Sequence, residues 1–186
     1  MINTKPKLMN SKFSSFLLIA FVLVFISGCL KKGEDDPLIS FRTRKARVVG
    51  KWKIKKGKKI SASNTTTIST TYSQDKYEQT YSLLSYTPSI TSGDIKYTIE
   101  FKKDGKVAEN RILEYSDRFS VKGTWNFTGR VGKEKNKEQI VLHDERTSLQ
   151  SDIVYTIKEL RNKKLVLYRS FDYMGNSFQE EYEFEQ

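Results

Sequence analysis

The sequence predicts an all-β protein, an antiparallel up-and-down meander that closes into a barrel of eight to ten strands, preceded by a short N-terminal helix. Apolar and polar residues alternate with a period of two in successive segments after Val48, which is typical of half-buried strands. Turn signals separate these segments, and none of the spacings suits a βαβ crossover. Aromatic residues fall on the apolar side of the alternation. A meander of this length with an aromatic interior tends to close and so to hide its edges.

The chain begins with an export signal that is not part of the fold. Lys5, Lys7 and Lys12 precede eleven unbroken apolar residues, 16–26, which is the layout of a secretory signal peptide. The run is shorter than the roughly 18 apolar residues that a membrane-spanning helix needs. We therefore expect export.

The apolar run ends at the single cysteine of the sequence, and Ile26-Ser27-Gly28-Cys29 resembles a bacterial lipobox. The resemblance implies that the Cys29 thiol is alkylated with diacylglycerol, that residues 1–28 are removed, and that the new amino terminus is acylated, typically with palmitate. Two or more acyl chains make a stable anchor, so Cys29 is the predicted lipid attachment site. The alternative is an idle thiol after an ordinary signal peptide; in either case one cysteine excludes an internal disulfide.

Residues 29–36 are predicted to be a lipidated tether and residues 37–186 the folded domain. Seven extended residues reach about 25 Å, so the domain would be held close to its membrane. Leu30 does not match the aspartate that retains some bacterial lipoproteins in the inner membrane, which leaves the outer membrane as the expected location, on either face. The acidic stretch after Lys32 resembles the surface-export signals of Bacteroidetes lipoproteins. The expected partner is the lipid bilayer, contacted through acylated Cys29.

The positive charge is concentrated in one region. The net charge of +11 falls to +8 without the three lysines of the signal, and residues 38–60 contain ten basic residues and no acid. Such a cluster suits nucleic acid or anionic lipid head groups. An exported, anchored protein seldom meets nucleic acid, so no nucleic-acid partner is expected and protein partners stay open. The other interpretation is a solvated strand face that is paired with acids elsewhere.

A short helix is predicted to begin at Asp36 and Pro37 and to end before Gly50. The Asp36 carboxylate can cap free N–H groups, and proline fixes the first helical φ. The helix would carry apolar residues on one side and basic residues on the other. We expect it to cap one end of the domain.

The strands follow in order, beginning with Gly50, Trp52 and Ile54 on the apolar side and lysines opposite. Further alternating segments place these residues inward: Ile95, Tyr97, Ile99, Phe101, Phe119, Val121, Gly123, Trp125, Phe127, Ile153, Tyr155, Ile157, Leu165, Leu167, Phe178, Tyr182 and Phe184. Tight turns are predicted at residues 103–106, which contain Asp-Gly, and at residues 161–164. Long loops are predicted at residues 61–71, 87–94 and 129–137.

Barrel closure would pair the first strand with the last. The outward side chains of the two strands would then meet, Lys51, Lys53 and Lys55 on one and Glu181, Glu183 and Glu185 on the other. Opposite charges across strands are mildly stabilising, so much of the basic cluster would have a structural purpose.

Short motifs resemble a known family. Gly50-Lys51-Trp52 after a short helix resembles the Gly-x-Trp start of lipocalins, in which the tryptophan closes the barrel floor. A strand ending in Asp104-Gly105, the later Gly123-Thr124-Trp125 and the strand Tyr155-Thr156-Ile157-Lys158-Glu159-Leu160 resemble the lipocalin-like lipoproteins of Bacteroidetes. The resemblance spans residues 50–168 and implies a lipocalin-like up-and-down barrel, often with an unassigned ligand. It supplies no catalytic residues.

His143 is the only histidine, and with Asp144 and Glu145 beside it suggests a metal contact or a general base. A metal site needs three or four converging ligands, and a nucleophilic site needs an oriented base and nucleophile. An exposed turn histidine is favoured instead, and the acidic residues 180–185 are interpreted as one strand face. We therefore predict no catalytic residue, no metal ligand, no cofactor and no enzymatic activity.

Two functions remain open. The first is a membrane-anchored lipocalin-like lipoprotein that binds a small apolar or amphipathic ligand in its barrel at the cell envelope. The alternative is a non-catalytic structural or protein-binding envelope lipoprotein with a filled barrel. A barrel of about eight strands has room for either packed side chains or one small ligand, and the inward aromatic residues fit both.

Overall fold

The computed structural model describes residues 43–114, 118–129, 138–145 and 152–186. One helix and ten strands lie in these ranges: α1 Arg44–Val48, β1 Gly50–Ala62, β2 Thr66–Ser73, β3 Lys76–Leu83, β4 Ser89–Phe101, β5 Lys106–Leu113, β6 Arg118–Gly129, β7 Glu138–Asp144, β8 Asp152–Arg161, β9 Lys164–Tyr173 and β10 Asn176–Glu185. Cys29, the tether at residues 29–36, the predicted helix start at Asp36 and all but the first residue of the predicted loop 129–137 lie outside the described residues.

The ten strands form a closed antiparallel up-and-down barrel in which sequence neighbours pair and β1 pairs with β10. This confirms the predicted fold class. Lys53 lies opposite Glu185 and Ala62 opposite Ser177, so the first and last strands are joined along most of their length. Closure therefore satisfies the backbone groups that an open sheet would present at its two edges.

β1 also pairs with β4, because the β2–β3 hairpin separates these two strands over only part of their length. Residues 50–53 of β1 pair with residues 98–101 of β4, whereas residues 56–62 pair with β2. At the branch point the Gln74 N–H donates to the Lys55 carbonyl and the Ile95 N–H to the Asp75 carbonyl, both at 2.7 Å. The barrel is thus wider at the end far from α1, which we call the rim, than at the end near α1, which we call the floor.

Two predicted loops are wrong, because most of their residues are strand. The predicted loop 61–71 contains the end of β1 and most of β2, and the predicted loop 87–94 contains the first residues of β4. Serine and threonine suggested a loop, yet threonine is β-branched and fits a pleated strand. Here β2 is hydrogen-bonded on both sides, by β1 and by β3.

The two predicted tight turns are confirmed. β4 and β5 are joined through Asp104 and Gly105, where the Lys102 N–H donates to the Lys106 carbonyl at 2.8 Å. Gly105 has φ 85°, which a residue without Cβ adopts easily. β8 and β9 are joined by the two residues between Arg161 and Lys164.

The described helix starts later than the predicted one. The Thr43 hydroxyl accepts a hydrogen bond from the Ala46 N–H at 3.2 Å, so Thr43 and not Asp36 caps this helix. A threonine at this position satisfies one of the free N–H groups of the first turn.

α1 covers the floor, as predicted for the helix. Val48 is fully buried, and the Arg47 guanidinium donates to the Leu160 carbonyl. The Trp52 indole N–H donates to the Val48 carbonyl at 2.7 Å, and Trp52 itself is fully buried. Trp52 therefore closes the floor from inside while α1 closes it from outside.

Aromatic rings fill the interior above the floor. The Tyr97 ring meets the Phe184 ring edge-on at 5.1 Å and the Tyr182 ring at 5.2 Å, and the Phe101 ring meets the Trp125 ring at 5.3 Å. Edge-to-face pairs at such distances add to the stabilisation from burial. The aromatic residues that the sequence placed inward are buried or half-buried, which confirms their orientation: Trp52, Tyr97, Phe101, Phe119, Trp125, Phe127, Tyr155, Phe178, Tyr182 and Phe184.

Candidate functional site

Charged side chains also lie inside the barrel: Lys59 of β1, whose Nζ is 3.8 Å from Glu180 Oε1, and four others on β5, β9 and β10. Glu109 and Arg111 of β5, Arg169 of β9 and Glu180 of β10 face inward, because each shares a strand face with buried apolar residues. Glu109 and Glu180 are almost completely buried, and Arg111 is only 7% exposed. We call these four residues the interior charged layer.

Arg169 and Glu180 form the paired half of this layer. They are opposite each other in the β9–β10 register, and Arg169 Nε donates to Glu180 Oε2. The guanidinium of Arg169 also lies over the rings of Tyr155 and Phe171, at 5.1 and 4.7 Å. Burial alone would raise the pKa of the Glu180 carboxyl, but the hydrogen bond and the charge of Arg169 outweigh it and lower that pKa. Glu180 is therefore held as a carboxylate.

Arg111 has no such partner. Its Nη1 donates to the Tyr182 hydroxyl at 3.1 Å, and its guanidinium lies over the rings of Tyr97 and Phe119, at 5.6 and 5.0 Å. Its Nε has no hydrogen-bond partner, and no carboxylate of the described residues forms an ion pair with it. Because arginine keeps its proton in proteins, Arg111 places an unpaired positive charge in the interior.

Glu109 is fully buried, and only one of its two carboxylate oxygens has a hydrogen-bond partner. The Tyr97 hydroxyl donates to Glu109 Oε1 at 2.8 Å, whereas Oε2 has no partner. Burial raises the pKa of the Glu109 carboxyl above its ordinary value, and the hydrogen bond from Tyr97 with the charges of Arg111 and Arg169 offsets this only in part. The buried Tyr77 hydroxyl also lacks a partner.

Nearer the rim the inward positions are partly exposed and include both apolar and polar side chains. Phe171 and Phe178 lie opposite each other in the β9–β10 register, and their rings stack at 4.9 Å with an angle of 8°. On the β2–β3 hairpin the inward positions beyond Tyr72 and Tyr77 include Ile68 and Tyr81, which are opposite each other. Phe171 is 37% exposed and Tyr81 40%. Partly exposed aromatic and aliphatic side chains thus lie on the rim side of the interior charged layer.

Outside the barrel, open grooves are lined by charged strand faces. One of about 660 Å³ runs across β8, β9, β10 and β1, and its lining includes Lys56, Lys158, Lys164, Glu181 and Glu183. Several of these side chains are ion-paired, for example Lys158 with Glu181 at 2.7 Å. Because its charges of both signs neutralise one another, this groove is a solvated face and a weak candidate for a site.

The basic cluster is partly accounted for by β10, as predicted. Lys55 Nζ lies 3.6 Å from Glu183 and 3.7 Å from Glu185, and Lys56 Nζ lies 3.5 Å from Glu183. The pairing register shifts near Lys55, so that Lys56 is the residue opposite Glu183. Lys51 lies opposite Glu100 of β4 instead, so it does not face the acidic residues of β10 as predicted.

His143 lies within β7 and not in a turn, which corrects its predicted position. Its Nδ1 is 2.6 Å from Asp152 Oδ1, and its Nε2 is 2.7 Å from Asn126 Oδ1. Asp144 is buried while Glu145 is exposed, so the three consecutive polar residues do not converge. In the described ranges no group of three or more His, Cys, Asp or Glu side chains is placed to hold a metal ion.

The interior charged layer was not predicted from the sequence, although β5 carries a signal of it. Glu109 and Arg111 occupy inward positions between Val107 and Leu113, where the alternation calls for apolar residues. Glu180 was interpreted as part of an outer acidic strand face, but it points inward and is 1% exposed. Charged residues at inward positions of a strand were the signal that could have found this layer.

No protein-family model matches this chain, and no curated protein or solved structure is significantly similar to it. Within the described part of the chain, no helix is long and apolar enough to cross a membrane. The case for a binding site therefore rests on the geometry of the barrel interior.

Proposed function

We propose that the protein is a membrane-anchored, lipocalin-like lipoprotein whose barrel binds a small amphipathic molecule at the cell envelope. Partly exposed apolar side chains near the rim and buried charged side chains deeper in the barrel carry this proposal. An amphipathic ligand needs an apolar wall for its tail and a few fixed polar groups for its head. Both kinds of residue face the barrel interior.

Unsatisfied polar atoms support a binding role for the charged layer. Arg111 Nε, Glu109 Oε2 and the Tyr77 hydroxyl are buried without hydrogen-bond partners. Buried polar groups in folded proteins are nearly always satisfied by protein, water or ligand. A bound head group would satisfy some of these atoms.

The ring core limits where the ligand lies. The largest fully buried aromatic side chains fill the floor side of the barrel and reach the level of Arg111, which lies opposite Tyr97: Trp52, Tyr97, Phe101, Tyr155, Tyr182 and Phe184. A ligand would therefore lie between the charged layer and the rim. The same packing favours the second candidate function, a structural or protein-binding envelope lipoprotein with a filled barrel.

Native mass spectrometry of the full chain, released gently from its membrane, tests the binding role. We expect a retained amphipathic molecule of a few hundred daltons. A mass equal to that of the lipidated chain alone, after exposure to envelope lipid extract, would support the filled barrel instead.

The anchor is tested at Cys29. We expect Cys29→Ser to abolish both labelling with radioactive palmitate and removal of residues 1–28, because the thiol is the proposed acceptor of the lipid. Gel mobility and membrane fractionation measure the outcome, and Ser15→Ala, outside the lipobox-like residues, serves as the control that keeps its label. A Cys29 variant that still takes up the palmitate label and still loses residues 1–28 would overturn the lipid anchor.

A further inference from the structure

We infer that the ligand carries an anionic head group, such as a carboxylate, and that Arg111 holds it. This inference rests on the proposed function and deepens it, because it names the class of molecule that the barrel binds. It starts from the one guanidinium of the interior charged layer that no carboxylate neutralises.

Arg111 is the member of the layer whose charge has no close partner. Glu180 is paired with Arg169 and lies 3.8 Å from Lys59 Nζ, which leaves Arg111 and Glu109. The groups that face Glu109 are Tyr97, Tyr155 and the other three members of the layer. Within the described residues no hydrogen bond or ion pair joins Arg111 to Glu109, whose Oε1 accepts from Tyr97 and whose Oε2 has no partner. An unpaired buried charge is strongly unfavourable, and an anionic ligand would remove that penalty.

The environment of Arg111 suits a planar anion. The rings of Tyr97 and Phe119 contact the guanidinium at 5.6 and 5.0 Å and restrict its orientation. One nitrogen is used by the Tyr182 hydroxyl, and Nε is without a partner. A guanidinium presents several N–H groups in a fixed plane that matches the two oxygens of a carboxylate.

The position of Arg111 also suits an amphipathic anion. Phe119 is opposite Arg111 in the β5–β6 register, and the stacked Phe171 and Phe178 lie on the rim side of Arg169 and Glu180. A head group at Arg111 would thus leave its apolar tail against aromatic rings that are still partly exposed. This contact would cover surface that solvent otherwise meets.

Arg47 provides a matched contrast. It too is buried, at 7% exposure, and its Nε also lacks a partner. However, it donates to the Leu160 carbonyl at the floor, where α1 and Trp52 close the barrel. A ligand that enters from the rim would reach Arg111 and not Arg47.

Equilibrium dialysis of the full chain in lipid nanodiscs tests the inference with three radiolabelled probes of one chain length: octanoate, octanol and octylamine. Empty nanodiscs correct for partitioning into lipid. We expect octanoate to bind at least about tenfold more tightly than the other two, since a hydrogen bond to a charged group contributes about 1.5–3 kcal/mol. This preference should disappear in Arg111→Met and persist in Arg47→Met.

The outcomes separate the two proposals. Equal binding of octanoate and octanol by the unmodified chain, or an octanoate preference that survives in Arg111→Met, would overturn the anionic head group and leave the binding role standing. Failure of all three probes to bind would overturn both. Far-UV circular dichroism reports whether each variant folds. If Arg111→Met does not fold, Arg111→Lys replaces it, because lysine keeps the positive charge. A weaker preference for octanoate over octanol in Arg111→Lys than in the unmodified chain then supports the inference, and an unchanged preference overturns it.

Discussion

Glu109 and Glu180 share one interior but differ in their partners, so they respond to pH in opposite directions. The pKa of Glu180 is lowered because Arg169 outweighs burial, so its stabilising contribution is present above its unfolded-state pKa and lost as the pH falls through its folded-state pKa. The pKa of Glu109 is raised by burial. Its contribution is therefore present below its unfolded-state pKa and lost as the pH rises through its folded-state pKa.

The first prediction follows from this difference. We expect Glu109→Gln to become more stable relative to the unmodified protein as the pH rises from about 4.5, the ordinary pKa of the residue, to 8, because an amide needs no ionisation in the interior. The Tyr97 hydroxyl can still donate to the amide oxygen. Urea unfolding of both proteins at the two pH values measures the change in the free energy of unfolding.

Glu78 offers the control for this experiment, since it lies exposed on β3. Glu78→Gln should shift the urea midpoint by the same small amount at both pH values. A stability difference between Glu109→Gln and the unmodified protein that is independent of pH would show that folding does not raise the pKa of the Glu109 carboxyl.

At the scale of single elements, the β2–β3 hairpin shows what alternation misses. In β2 the inward positions are Ile68, Thr70 and Tyr72, and polar threonines and serines occupy most of the rest. Because the two faces of β2 differ little in hydrophobicity, its sequence shows no clear period of two. The strand forms because β1 and β3 offer hydrogen-bonding partners on both sides, which is a property of the tertiary structure.

Gly123 marks a place where two strands come too close for a side chain. A Cβ at this position would lie 1.7 Å from the His143 carbonyl oxygen and 3.2 Å from the Glu145 nitrogen. Both are backbone atoms of or next to β7, so neither can rotate away. We expect Gly123→Ala to lower the free energy of unfolding by about 1–3 kcal/mol, the usual effect of overpacking, as measured by urea denaturation.

Gly175 gives the matched control for a purely conformational effect. It joins β9 to β10 with φ 75°, and a Cβ there would have no heavy atom within 4 Å. Gly175→Ala should lose about 1 kcal/mol through its left-handed backbone alone. If Gly123→Ala proves no more destabilising than Gly175→Ala, close approach of β6 and β7 is not the reason for that glycine.

At the scale of the whole molecule, sequence patterns predicted the strands and the ring core better than the interior charged layer. Local alternation predicts which face of a strand is inside, so the ring core was accessible to sequence reasoning. The candidate site depends on which strands meet, and Arg111 and Tyr182 are 71 residues apart. The Arg169–Glu180 pair is closer to predictable, because both lie in one hairpin at fixed distances from its turn.

Ion pairs and packed aromatic side chains both join β1 to β10. The lysine and glutamate side chains on the outer face of this junction are 3.5–3.7 Å apart, and Lys55 and Lys56 are 49% and 69% exposed. Exposed pairs of this kind contribute only about 0–1 kcal/mol. By contrast, β10 contributes Tyr182 and Phe184 to the ring core, both fully buried. Packing, together with the backbone ladder, should therefore dominate.

The last prediction compares these two contributions directly. We expect the double variant Lys55→Ser, Lys56→Ser to lose less than about 1 kcal/mol of unfolding free energy, and Phe184→Ala to lose about 3–5 kcal/mol through the cavity that it leaves. Urea denaturation of the three proteins at one pH and ionic strength measures both. A loss in the lysine variant as large as that in Phe184→Ala would mean that charge pairing closes the barrel. The lysines of the basic cluster would then stabilise the fold much more than exposed ion pairs normally do.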